Sequence, residues 1–97
     1  MVSEPNASVI AELYTYICEH IRRVRQMLSG RHIVLESGKK RDDYELYVRI
    51  DYSASPNENA FDIQIIAKKD YDVKQAIDDV KHLIDVAEKL VSSYVQT

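Results

Sequence analysis

Six basic residues form the first group whose types and positions indicate a chemical role. Lys68 and Lys69 end a predicted strand, and Lys74 lies in the first turn of the helix that follows. The other three lie in a predicted turn between two earlier strands: Lys39, Lys40 and Arg41. In an antiparallel meander that turn and the end of the third strand share one edge, beside a helix N-terminus. Free N–H groups there favour phosphate, so these six residues are the candidate nucleic-acid contact.

Acidic residues are interleaved with this basic group: Asp42, Asp43, Asp70 and Asp72. The alternative interpretation is therefore a solvated rim of mixed charge, which keeps a sheet edge from pairing with other chains. A second basic group lies near the end of the first predicted helix: Arg22, Arg23, Arg25 and Arg31. It is either a contact for an acidic partner or an RNA backbone, or a solvated helix face.

Residues that carry catalysis or bind metals are scattered. His20, His32 and His82 lie on a helix, a strand and a helix, and no two have metal-ligand spacing. The lone Cys18 flanks an apolar seam and is expected to be an inert core thiol. Asp78-Asp79 is predicted on the wet side of a helix, and no carboxylate lies in an apolar stretch that would raise its pKa. We therefore expect no enzyme, no cofactor and no metal site.

Composition favours one small folded domain. The 97 residues are 45% hydrophobic and 30% charged, with a formal net charge of −3. That charge excludes a protein whose whole surface binds nucleic acid or acidic membranes. Apolar runs are too short to span a bilayer, and residues 1–6 carry no secretory signal. We expect a single domain over 1–97 with a flexible N-terminus at 1–6, in the cytoplasm.

Two segments have helical periodicity. The first covers about 7–29, begins at an N-cap supplied by Asn6 or Ser8, and ends at a left-handed cap at Gly30. Its seam repeats every seven residues: Ile10, Tyr14, Ile17, Ile21, Val24 and Leu28. The second covers about 71–95 and begins with a capping box of Asp72 and Gln75. Its seam continues to the end of the segment: Val73, Ile77, Val80, Ile84, Ala87, Val91 and Tyr94.

Three strands are predicted between these helices. A short strand over about 32–37 is followed by a turn at 38–42. The second strand alternates most clearly, with these residues pointing inward: Tyr44, Leu46, Val48, Ile50 and Tyr52. After a loop at 53–59, the third strand points another set inward: Phe61, Ile63, Ile65 and Ala67. The outer face carries Tyr47, Arg49 and Ile66, which are candidates for docking or RNA stacking.

The predicted fold is therefore α+β: two layers in the order α-β-β-β-α, with both helices on one face of a three-stranded antiparallel meander. A 25-residue helix is about 37 Å long, whereas a nine-residue strand covers about 30 Å. The apolar seam of the last helix therefore continues past the sheet. The surplus residues are the candidate interface for a second copy or another protein: Ala87, Leu90, Val91, Tyr94 and Val95. The alternative is that the first helix covers them.

The element order resembles that of double-stranded-RNA-binding domains. Lys68-Lys69 followed by Lys74 is similar to the lysine motif at the start of their last helix, and the first turn corresponds to their minor-groove loop. The first turn lacks the His expected in that family, and the last helix lacks its Ala-rich pattern. The small Alu-domain subunits of the signal recognition particle share the order. The hairpin with the final helix resembles the small dimerising subunit of the tRNA-modifying KEOPS complex.

Two functions follow as hypotheses. The first is a non-catalytic protein–protein interaction or adaptor module, acting as a homo- or heterodimer subunit of a larger assembly. The second is an RNA- or DNA-binding module that uses the basic residues of the first turn and of the start of the last helix.

Overall fold

The computed structural model describes residues 7–52 and 60–96. The chain runs α1 (Ala7–Leu28), β1 (Val34–Lys40), β2 (Tyr44–Asp51), β3 (Phe61–Ala67) and α2 (Val73–Val95). The strands form one antiparallel sheet in the order β1-β2-β3. The predicted α+β class and the α-β-β-β-α order are confirmed. The predictions for 1–6, for an Asn6 cap and for the loop at 53–59 lie outside the described residues.

The central strand β2 positions the core. Its side chains alternate between buried and half-buried, because one face of the strand packs under the helices. The residues predicted to point inward are all nearly inaccessible to solvent: Tyr44, Leu46, Val48, Ile50 and Tyr52. On the edge strand β3 the inward side chains Ile63 and Ile65 are half-buried, and Ala67, at its end, is exposed.

The first strand begins two residues later than predicted and continues three residues further, so the turn after it is shorter. Gly38, Lys39 and Lys40 belong to β1, and only Asp42 and Asp43 separate Arg41 from Tyr44, whose carbonyl accepts the Arg41 N–H at 2.8 Å. Glycine and lysine indicate a turn in a sequence, but a solvated edge strand tolerates both. Gly38 is required where it lies, because a Cβ there would come within 2.8 Å of the Leu46 carbonyl oxygen.

Local residues set the C-terminal end of α1 and the N-terminal end of α2. At the end of α1, Ser29 and Gly30 have φ of 51° and 89°, and the predicted left-handed cap at Gly30 is confirmed. At the start of α2, the carboxylate of Asp72 accepts the backbone N–H groups of Lys74 and Gln75. The Asp72 half of the predicted capping box is therefore confirmed, although the helix begins two residues later than the periodicity suggested.

The helices run in the same direction, side by side. The ring of Tyr16 lies near Lys81 and its hydroxyl bonds Asp85, while Arg23, further along α1, bonds Glu88. From Ile17 onward the seam of α1 is buried, but Ile10 is 53% exposed and Tyr14 is 44% exposed. Ile10 and Tyr14 therefore lie at the margin of the core, although Leu13 packs against it and the Tyr14 ring contacts Phe61.

Candidate interaction surface

One flank of α2 carries three exposed apolar side chains. Val86, Leu90 and Tyr94 follow at four-residue spacing, which places them on one stripe of the helix. Leu90 is 60% exposed, Tyr94 is 54% exposed and Val86 is 39% exposed. We call these three residues the α2 stripe. Exposed apolar side chains that adjoin each other are typical of interaction sites.

The predicted interface residues divide into two groups. Ala87 and Val91 are 8% and 2% exposed and belong to the chain's own core, so they are not available to a partner. Leu90 and Tyr94 are open, and Val95 is half-buried. The core beneath Val91 includes residues of the C-terminal half of α1. The alternative weighed from the sequence, cover by the first helix, therefore holds for part of the surplus surface.

Strand β1 borders the same side of the molecule with a free edge. Within the described residues, β1 pairs with β2 alone. The N–H of Tyr52 bonds the carbonyl of Ile33, and the N–H of Arg41 bonds that of Tyr44. Hydrogen-bonded pairs alternate along an antiparallel ladder, so the odd-numbered residues of β1 bond β2. The N–H and C=O groups of Glu36, Gly38 and Lys40 therefore point to the free edge.

Contacts at both ends of α2 show that the stripe and the free edge lie together. Asp79, on the same flank as the stripe, bonds Lys39 of β1 and the adjoining Arg41. At the other end, the guanidinium of Arg31, just before β1, lies 5.7 Å from the centroid of the Tyr94 ring. The opposite flank of α2 contacts α1. The α2 stripe and the edge of β1 thus form one continuous surface.

Asp79 is the main departure from the sequence prediction at this surface. It was expected on the wet side of α2, but it is only 7% exposed. Its carboxylate accepts hydrogen bonds from the Arg41 Nε at 2.6 Å and Nη2 at 3.1 Å, and from the hydroxyl of Tyr44. The guanidinium of Arg41 holds the pKa of Asp79 well below its usual range. Burial and the Asp79 carboxylate raise the pKa of Tyr44 to about 12.

The structure brings the predicted basic group to one end of the sheet, but half of it is bound to carboxylates. The Nζ atoms of Lys39 and Lys68 lie 3.4 Å from Asp79 and from Glu45, respectively. The backbone N–H of Lys68 bonds the carbonyl of Asp43, so the end of β3 lies beside the hairpin, as predicted. Lys40, Lys69 and Lys74 are exposed and make no ion pair with any carboxylate of the described residues.

A buried histidine network joins α1, α2 and the end of β2. His20 is 0% exposed, its Nδ1 lies 2.9 Å from Glu88 and its Nε2 lies 2.5 Å from the Tyr52 hydroxyl. Burial lowers the pKa of His20 and raises that of Tyr52. The neutral ring therefore donates from Nδ1 to Glu88, and the Tyr52 hydroxyl donates to Nε2. Burial raises the pKa of Glu88, but hydrogen bonds from Arg23 and His20 outweigh it, so the net shift is downward.

The outer face of the sheet holds a polar network around the predicted docking residues. The hydroxyl of Tyr47 donates to Glu36 at 3.1 Å, and the Nε of Arg49 lies 3.7 Å from the same carboxylate. Ile66 is 51% exposed and Val34 is 47% exposed. Glu36, Tyr47 and Arg49 thus satisfy one another, and among the described residues this face has two exposed large apolar side chains, against three on the α2 stripe.

In the described part of the chain, no group of three or more His, Cys, Asp and Glu side chains is arranged to hold a metal ion. The same residues contain no helix that is both long and apolar enough to cross a membrane. Comparison with protein-family models, with curated proteins and with solved structures found no match to this chain. Its function is therefore inferred from the geometry.

Proposed function

We propose that this protein is a non-catalytic interaction module that forms a homodimer through the free edge of β1 and the α2 stripe. The observation that carries the proposal is their continuity: a strand edge with which no other described strand pairs lies beside a helix flank on which Leu90 is 60% exposed. A free edge offers backbone hydrogen bonds, and an apolar flank offers burial. Together these are the two components of a dimer built on one extended sheet.

The charges along β1 favour one register for the pairing of two copies. In a two-fold antiparallel arrangement centred on Gly38, Glu36 of one copy faces Lys40 of the other, and the pair occurs twice by symmetry. A centre on Glu36 or on Lys40 would place like charges opposite each other. The Gly38-centred register also pairs the residues whose backbone groups point to the free edge. The same charges oppose pairing in other registers, as edge lysines do.

The position of α2 is compatible with this arrangement. Because α2 contacts both β1 and β2, its axis lies above the midpoint between them, half a strand spacing from β1. The two-fold axis lies half a spacing beyond β1, so the helix axis is about one strand spacing, 4.8 Å, from it. The two copies of α2 are then about 10 Å apart, which is the distance at which helices pack through their side chains. Such a dimer covers part of the α2 stripe on each subunit and extends the sheet to six strands.

The first test is the oligomeric state of a variant of the stripe. Sedimentation equilibrium of the wild type is expected to give a dimer at micromolar concentration. Since burying a leucine contributes about 1.5–3 kcal/mol, Leu90→Asp is expected to weaken the dimer at least tenfold without unfolding the chain. Ile10→Asp is the matched control, because Ile10 is 53% exposed on α1 and lies outside this surface. A monomeric wild type contradicts the proposal, as does an equal effect of both variants.

The second test is a charge exchange at the edge. Glu36→Lys and Lys40→Glu each place like charges opposite in the Gly38-centred register, and each is expected to weaken its own homodimer about 5- to 30-fold, or 1–2 kcal/mol. Mixing the two variants restores two opposite-charge pairs, so a heterodimer should form. Circular dichroism checks that each variant is folded. Two variants that dimerise as well alone as when mixed would show that this register is wrong.

Nucleic-acid binding is a second candidate, supported by the position of three exposed lysines at one end of the sheet. Lys40, Lys69 and Lys74 lie where β1 and β3 end and α2 begins. A gel-shift titration over a salt series tests it, since binding through phosphate contacts weakens steeply with salt. Absence of a shift at low salt would leave the interaction module as the function.

A further inference from the structure

A basic cavity lies at the C-terminal end of α1. It has a volume of about 570 Å³, and three of the residues that line it are Arg22, Arg25 and Arg31. His32, Leu28 and Tyr52 also contribute to its walls. The volume is within the range of cavities that hold small-molecule ligands, about 300–1,000 Å³. Three of the four members of the second basic group found in the sequence, Arg22, Arg25 and Arg31, therefore line one half-open cavity.

Among the described residues, no carboxylate forms an ion pair with the arginines of this cavity. Its described lining contains no Asp or Glu. Arg22 and Arg25 make no ion pair with any described residue, whereas Arg23, which lies outside the cavity, bonds Glu88 at 3.0 Å. This concentration of charge occurs in a chain with a net charge of −3. A local field of this kind attracts anions although the protein as a whole is acidic.

Two walls of the cavity are held in place by contacts already described. The left-handed turn at Ser29 and Gly30 brings the chain back after α1, and the guanidinium of Arg31 lies over the ring of Tyr94. The hydroxyl of Tyr52 is bonded to the buried His20. A ligand would therefore meet preformed walls, which lowers the entropy that binding must overcome.

We propose that this cavity binds a small anion that carries two or more phosphate groups. A guanidinium offers paired N–H donors that match the oxygens of a phosphate, and three of them suit a chain of phosphates better than a single one. Leu28 and Tyr52 also line the cavity, but each is only 1% exposed, so the arginines would supply the main contacts to the ligand. The proposal does not rest on dimerisation, because the lining comes from one chain.

Cations near a helix C-terminus also stabilise the helix. Arg22 and Arg25 could therefore stabilise α1 without binding any ligand. The test therefore measures binding and stability together. Isothermal titration with inorganic triphosphate is expected to show one saturable site in the wild type. The double variant Arg22→Gln/Arg25→Gln is expected to lose at least tenfold in affinity. Lys69→Gln/Lys74→Gln is the matched control, since it removes two exposed charges at the other end of the molecule and should bind as the wild type does.

Parallel titrations identify the source of the phosphate groups. Adenosine triphosphate that binds more tightly than inorganic triphosphate indicates a nucleotide, and equal affinities indicate the phosphate chain alone. Amide chemical shifts of Arg31, His32 and Tyr52 should move in either case. Failure of the wild type to bind either compound overturns the proposal, as does an equal loss in the control variant. If the wild type binds neither compound and the arginine variant is less stable to heat, the arginines stabilise the C-terminal end of α1 instead of binding a ligand.

Discussion

Replacing the buried histidine of the core is expected to change both the stability of the protein and its dependence on pH. In His20→Gln the shorter amide cannot serve both Tyr52 and Glu88, whose bonds to the ring are 2.5 and 2.9 Å. A buried hydroxyl left without a partner costs about 1–3 kcal/mol. That is a substantial part of the 5–15 kcal/mol that stabilises a typical domain. We therefore expect a lower urea midpoint at neutral pH.

The pH dependence follows from the direction of the shift. Burial lowers the pKa of His20 below its ordinary value of 6.5. As the pH falls through that value, the unfolded chain binds a proton and the folded chain does not, so the wild type loses stability. The loss is at most about 1.4 kcal/mol per pH unit and ends when the folded state also binds the proton. The carboxylates of Asp79 and Glu88 titrate below this window, because their pKa values are lowered from 3.8 and 4.5.

Urea unfolding followed by circular dichroism, at one protein concentration and at several values between about pH 5 and 7.5, measures this slope. The wild type should lose stability toward pH 5, and His20→Gln should have a flatter profile. His82→Gln, which changes an exposed histidine of α2, should keep the wild-type slope. A His20→Gln profile as steep as that of the wild type would refute the neutral, buried state assigned to this ring.

Three further changes test the core, the buried carboxylate and the basic end. Ile50→Ala should lower the free energy of unfolding by about 2–5 kcal/mol in urea melts, since Ile50 is 1% exposed; an unchanged midpoint would contradict the core assignment. Asp79→Asn should lower the free energy of unfolding by about 2–3 kcal/mol, less than the loss of a fully buried pair, because its cation partners are partly exposed. The control Asp78→Asn should lower it by less than about 0.5 kcal/mol, and equal effects of the two variants would contradict the buried network. Lys69→Glu with Lys74→Glu should abolish any gel shift with nucleic acid, and an unchanged shift would place that contact elsewhere.

The elements that the sequence predicted best are those whose signals are local. The alternation of β2 indicates one buried face, and Asp72 meets the requirement of a helix N-cap, so neither depends on distant residues. The extent of β1 depends on its neighbour instead. Gly38 and Lys40 indicate a turn when taken alone, but their pairing with β2 makes them part of a strand.

The burial networks of His20 and Asp79 could not be assigned from spacing in the same way. His20 lies three residues after Ile17 and four before Val24, so its position on the buried seam of α1 was visible, but its partners Tyr52 and Glu88 lie far along the chain. Asp79 lies at the margin of the apolar arc of α2. It is buried only because Arg41 and Tyr44, separated from it by more than thirty residues, reach its carboxylate.

The surplus apolar surface of α2 was predicted from helix length, but the structure relates it to the breadth of the apolar arc. A row of residues seven apart shows this along the helix. Ala76 is 0% exposed, Leu83 is half-buried and Leu90 is 60% exposed, so the row loses cover toward the C-terminus. The seam beside it, through Val91, stays buried because α1 covers that flank. A helix that packs against a sheet and a second helix has two covered flanks. Where its apolar arc is wider than these two flanks together, a third apolar flank remains exposed to solvent. That third flank, which adjoins the edge of β1, is the surface through which we propose that a second copy binds.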